Sequence, residues 1–165
     1  MGGLYDGKKP AHRVIEVTKC TYEHIDNLAP RVAEADLLEV SLSCGLPIRQ
    51  ALIESMESSE YCWALVDEDE VCLGVFGYAC PFGDDEIGVP WLIASDDLRA
   101  RAVEFYKLSV AWVDVMSVSC PKLLINYVHA DNKRAIRWLT RLGFTVEETP
   151  EPFGVAQAPF RKFYK

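Results

Sequence analysis

The chain is short of positive charge. Its 165 residues hold 17 Lys and Arg against 25 Asp and Glu, a net charge of −8. A non-specific nucleic-acid binder draws most of its affinity from phosphate contacts and shows a basic surplus. The balance therefore argues against DNA or RNA as the main partner. Long apolar runs are missing too: no stretch reaches the roughly 18 residues that span a bilayer, so no membrane association is expected. Residues 1–10 are polar and Gly-rich, without the apolar stretch of a secretory signal, and the expected location is the cytoplasm. Six cysteines occur, but no two form a CxxC pair and none has a His neighbour at metal-ligand spacing. No metal site is expected, and the cysteines read as small buried thiols in a reducing compartment.

What is present can build a core. Half of the residues are hydrophobic and 11% are aromatic, a composition foreign to disordered chains. The length suits one domain, expected over 13–165 behind a flexible segment, 1–12.

Residues 13–18 alternate apolar and polar, as a half-buried strand does. Thr21 opens a helical stretch that Pro30 interrupts. A second helix is expected over about 31–43 and a third over about 47–58, separated by Gly45 and Pro47. Strands follow at 61–66 and 71–80, joined by the acidic turn 67–70, and then at 86–94 after a loop. Leu98, Ala102, Phe105, Trp112, Val113 and Met116 recur at helical spacing and predict one long helix over about 97–117. Residues 122–129 are a dense apolar strand of the kind buried on both faces. A helix over about 132–142 ends at Gly143, and strands near 144–149 and 160–165 close the chain. The order predicts an α/β (α+β) fold: a mixed sheet of about six to seven strands covered by about four helices.

One local motif sharpens this. Residues 132–144 read Asn-Lys-Arg-Ala-Ile-Arg-Trp-Leu-Thr-Arg-Leu-Gly-Phe. Asn132, then Ala135 and Ile136, then Leu-Gly-Phe at the helix end, all after an apolar strand, resemble the fourth-helix motif of the GNAT (GCN5-related N-acetyltransferase) superfamily. The physics of the pieces stands beside the resemblance. Asn132 can cap the helix, while Ile136, Leu139 and Leu142 share one face and pack on the sheet. The resemblance implies a fold that binds acetyl-CoA and transfers the acetyl group to a primary amine, on a small molecule or a protein. It implies that the main chain of Leu92, Ile93 and Ala94 orients the pantetheine and the oxyanion. It places the pyrophosphate at Arg99, Ala100, Arg101 and Ala102, with Asn132 and Ala135 contributing from the last helix. The superfamily often carries a general base on its fourth strand, which makes Glu86 a candidate; His129, ending the fifth strand, is a second.

Two departures from the family pattern stand out. The family's pyrophosphate loop is Gly-rich, its N–H groups and helix dipole holding the phosphates. Here residues 95–102 read Ser-Asp-Asp-Leu-Arg-Ala-Arg-Ala, without glycine. Asp96 or Asp97 caps a helix well. A carboxylate about 4 Å from a phosphate charge costs roughly 4 kcal/mol at an effective dielectric of about 20, unless Arg99 and Arg101 offset it. The second departure is Leu139, which stands where the family has its usual acid, a Tyr seven residues after the Asn. A positioned acid is worth about 10²- to 10⁴-fold. Tyr127 and Tyr106 are possible substitutes. Arg134, Arg137 and Arg141 share one face of the same helix, either to meet the coenzyme's outer phosphate or an acidic partner, or simply as a solvated face.

The altered pattern is similar to a branch of GNAT-like internal virion and hypothetical proteins of short-tailed bacteriophages. The shared residues are Cys62-Trp63, Ser95-Asp96, and Asn132, Ile136, Arg137, Trp138 and Leu139, scattered over 61–144. That resemblance implies an alternative: a catalytically silent module that packs with other phage virion proteins, in the host cytoplasm or the virion.

Overall fold

The computed structural model describes residues 14–165; the expected flexible segment 1–12, and Arg13, lie outside the described residues. The elements run β1 (Glu16–Lys19), α1 (Tyr22–Leu28), a 3-10 turn (Ala29–Arg31), α2 (Glu34–Ser43), α3 (Ile48–Ser58), β2 (Tyr61–Val66), β3 (Cys72–Ala79) and β4 (Ile87–Ala94). They continue with α4 (Asp96–Arg99), α5 (Ala102–Ser119), β5 (Leu123–His129), α6 (Lys133–Arg141), β6 (Thr145–Val146), β7 (Glu151–Phe153) and β8 (Ala158–Tyr164). The strands form one mixed sheet in the order β1-β2-β3-β4-β5-β8-β6, with β7 also pairing β8. Only β4 and β5 run parallel, joined by the α5 crossover; the other pairs are antiparallel.

β3 is buried along nearly its whole length, and its side chains divide between two cores, with a register shift against β2 at Leu73 that breaks the strict alternation. Leu73 and Phe76 face Leu98, Val113, Met116 and Phe144 under α5 and α6. Cys72 and Val75 face Ile25, Leu28 and Leu52 under α1 and α3. Aromatic rings reinforce the first core, with Trp63 of β2 set 4.4 Å from Trp112 of α5. Gly77 is obligatory in this strand: a Cβ there would lie 2.3 Å from the Tyr61 carbonyl oxygen of β2. Because a backbone atom cannot move aside cheaply, Gly77→Ala is expected to cost about 3 kcal/mol, as overpacking does. Urea denaturation checks this; an unchanged midpoint would show that β2 shifts freely.

The expected strands at 61–66, 71–80, 86–94 and 122–129 form with small changes of boundary. Three local departures have physical reasons. The second helix starts at Glu34, not near 31, because Pro30 sets a 3-10 turn and Val32 then extends to bridge Ser95. The single helix expected over 97–117 is two. Arg101 leaves helical geometry at φ −110, ψ 35, while its N–H bonds back to the Leu98 carbonyl at 3.0 Å and its guanidinium pairs with Glu104 and Glu68. Near the C-terminus, β6 stops early. Pro150 offers no N–H, and the chain resumes as β7, a strand the alternation pattern did not indicate.

Candidate functional site

The site is created where β4 and β5 part. Their parallel pairing covers only Ile87↔Leu123 and Gly88↔Leu124. Two residues on stands Pro90, which has no N–H to give a neighbour and loosens the ladder. The Asn126 side chain crosses the opening gap, its Nδ2 donating to the Pro90 carbonyl at 2.8 Å. Beyond it the Ser95 N–H turns to β3, onto Leu73 O at 2.9 Å, while the Ala94 N–H turns the other way, toward α2. Strand alternation then aims the Leu92 N–H and carbonyl into the gap on the β5 side.

The gap opens into a cavity of about 640 Å³, within the usual range for small-molecule sites. Its walls come from α2, α3, β4, the start of α5, β5, α6 and the β7–β8 hairpin. Leu92, Ile93, Ala94, Arg99, Ala102, Asn132 and Ala135 all line it. Asn132 caps α6, its side-chain oxygen accepting from the Ala135 N–H at 3.2 Å. Ala100 and Arg101 are not in the wall. Ala100 is exposed at the break after α4, and Arg101 is held by its two carboxylates.

The two candidate bases also lie elsewhere. Glu86 precedes β4 at the end where the strands still pair. It sits four residues before Pro90, about 13 Å along the strand, and its carboxylate pairs with Lys122 at 2.6 Å. His129 is 8% exposed, with its ring edge-on to Phe160 at 5.3 Å. Of the two tyrosines considered, Tyr127 lines the cavity. It stacks on Phe153 at 4.2 Å, and a hydrogen bond to Glu151 together with burial pushes its phenol up to about 12. Tyr106 instead donates to the Arg141 carbonyl at 3.3 Å. Arg134 reaches the wall, whereas Arg137 and Arg141 do not line it and are exposed on the outer face of α6.

The structure adds two wall residues that periodicity concealed, Asp36 and Glu39 on α2. Asp36 accepts from the Ala94 N–H at 2.8 Å and lies 3.6 Å from the Arg99 guanidinium. Burial pushes its carboxyl up to about 6, outweighing the Ala94 N–H and Arg99. Glu39 accepts from the His129 backbone N–H at 3.1 Å and from Asn132 Nδ2 at 2.8 Å. Burial raises its carboxyl as well. The signal in the sequence is an inverted helix. Leu37 and Leu38 are 40% and 49% exposed, while Asp36 and Glu39, which flank them, line the cavity.

Among the described residues, no group of three or more His, Cys, Asp and Glu side chains is placed to hold a metal ion, and no helix is long and apolar enough to cross a membrane. All six cysteines are free thiols; Cys20, Cys72 and Cys120 are buried and Cys44 is exposed.

No protein-family model matches the chain, and no curated protein matches it. Solved structures do. A GCN5-related N-acetyltransferase from Kribbella flavida superposes with a TM-score of 0.68 at 19% identity, covering 92% of this chain and 97% of that one. An acetyltransferase of Bacillus subtilis in complex with CoA gives 0.62 at 13% identity, over 92% and 97%. A spermidine N-acetyltransferase from Vibrio cholerae in complex with CoA and spermine gives 0.67 at 11% identity, over 92% and 94%. The architecture is therefore that of the GNAT acetyltransferases. The mixed sheet, the parted fourth and fifth strands and the capped last helix of this chain are its version of that fold.

Proposed function

We propose that the chain binds acetyl-CoA in the gap between β4 and β5 and transfers the acetyl group to a primary amine. The observation that carries this reading is the Leu92 N–H, aimed into a 640 Å³ cavity beside a ladder that Pro90 has opened. The main chain of Leu92 to Ala94 orients the pantetheine, and the Leu92 N–H stabilises the oxygen of the thioester as charge develops on it. Arg99, Ala102 and the orphan N–H groups that begin α5 meet the pyrophosphate. Asn132, Arg134 and Ala135 approach the coenzyme from α6.

The neutral amine attacks the thioester carbonyl carbon. The C–S bond breaks, CoA leaves as its thiolate, and the amine's proton passes to a base and then to the sulfur. Since Glu86 and His129 lie outside the cavity wall, that base is Glu39, whose raised affinity for protons suits the task. The acidic wall of Asp36, Glu39 and Glu54 favours a cationic acceptor, such as the amine carried by the Vibrio cholerae neighbour.

A thermal-shift titration tests the reading. Ligand at 100 times its dissociation constant stabilises by about 2.7 kcal/mol, or roughly 5–10 °C for a domain of this size. No shift with CoA or acetyl-CoA at millimolar concentration overturns it.

A second reading is a catalytically silent GNAT-fold module, for example a phage internal virion or protein-interaction component. A specific observation favours it: the Asp36 carboxylate already occupies the Ala94 N–H, and Leu139 offers no acid. A flat titration is its expected outcome.

A further inference from the structure

A second cavity of about 130 Å³ lies under α5, walled by Leu65, Phe76, Leu108, Val113, Met116 and Leu142 among others. It shares Pro90, Trp91, Leu92, Phe105, Trp138 and Leu139 with the main cavity, so the two spaces adjoin along β4, α5 and α6. We infer that the site accepts acyl groups longer than acetyl, of about six carbons, with the tail lodged in this side cavity. The inference rests on the proposed coenzyme reading and deepens it.

Three observations carry it. Leu92, the residue whose N–H faces the thioester in the proposed reading, lines both spaces, so an acyl tail leaving the thioester borders the side cavity. The lining is apolar. Its Ser109 hydroxyl is already spent on the Phe105 carbonyl at 2.8 Å, so an amine or other polar group lodged there would forgo hydrogen bonds at a cost. The size is that of a short hydrocarbon: a cavity of about 150 Å³ lined by Leu, Ile and Phe stays dry and takes benzene. Leu139 contributes as well, because a leucine in both linings lets an alkyl chain pass without stranding a polar group. A space walled mainly by aliphatic and aromatic side chains and bordering the proposed thioester position fits an alkyl tail better than a charged acceptor.

Calorimetric titration of the protein with CoA, acetyl-CoA and hexanoyl-CoA, without amine, tests the proposal. Each buried methylene is worth about fourfold in affinity, so four fully buried methylenes set a ceiling of about 200-fold. Hexanoyl-CoA is expected to bind at least about tenfold more tightly than acetyl-CoA. Equal affinities for the two thioesters overturn the side-cavity proposal while leaving the coenzyme reading intact. Failure of all three ligands, CoA included, overturns the coenzyme reading and this one with it. Val113→Phe places a ring in the side cavity and is expected to bring the hexanoyl-to-acetyl affinity ratio close to one. Leu108→Phe, nearer the rim, does the same if the first variant fails to fold. A ratio unchanged in a folded variant places the tail elsewhere and overturns the proposal.

Discussion

Asp36→Asn is expected to stabilise the protein by up to about 3 kcal/mol at pH 7.5 and to change little near pH 4. The carboxyl is pushed from its ordinary 3.8 up to about 6, and its side chain is only 18% exposed. An acid whose native pKa lies above its unfolded value holds its proton more tightly when folded. Unfolding then releases protons between about pH 4 and 6, and stability falls as pH rises through that window. Glu39 is shifted in the same direction, so the wild-type slope holds both contributions, and the difference between wild type and variant isolates Asp36. Asparagine keeps an oxygen for the Ala94 N–H and sets its amide nitrogen where Oδ1 faced Arg99, losing that attraction. Chemical denaturation at pH 4, 5, 6 and 7.5 measures the effect. A variant less stable than wild type at pH 7.5 would mean that Arg99 makes the carboxylate an asset. The same ionisation bears on the site. Above pH 6 the charged Asp36 holds the Ala94 N–H and would repel an anionic ligand, so on the proposed coenzyme reading CoA affinity is expected to rise as pH falls through about 6.

That carboxylate also marks where the sequence stops being readable. The strands at 61–66 and 122–129 and the helix after Asn132 were legible because each carries a strong local signature: dense β-branched and aromatic residues, or a cap followed by a 3.6-residue stripe. The break at Arg101 was not, because it depends on ion pairs to Glu68 and Glu104, one of them 33 residues away. β7 was missed because three residues with a central proline carry no period.

The site divides in the same way. Leu92 to Ala94, Asn132 and Ala135, which the family resemblance implied, fall in the cavity wall, because a resemblance that follows element order carries backbone positions with it. Glu86 was expected at the site on the strength of its strand alone, but the gap opens only past Pro90, and that end point depends on a neighbour strand. Asp36 and Glu39 were invisible. A helix rule sends acids outward and leucines inward, and here the Ala94 and His129 N–H groups, both distant in sequence, reverse it. Polar partners supplied by tertiary structure overrode the local pattern.

Leu139 is the position with the most to give. If the gap is a transferase site, Leu139→Tyr is expected to raise kcat with acetyl-CoA by about 100-fold, the lower end of the range for a positioned acid. Leu139 lines the main cavity one turn from Ala135 on α6, on the face that looks at the parted strands. A phenol there would protonate the departing thiolate, a task for which Tyr127 is poorly suited, since its proton is already tied to Glu151. Mass-spectrometric counting of acetylated diamine per unit time gives kcat directly and is blind to the protein's own thiols. The same ring would narrow the mouth of the side cavity and set a polar group in it, so the variant is also expected to lose most of its preference for the hexanoyl donor. The two effects are opposite in sign and share one cause, which separates them from a general change in folding. A variant that binds CoA normally yet shows neither effect would show that Leu139 does not face the thioester, and the geometry proposed for transfer would fall with it.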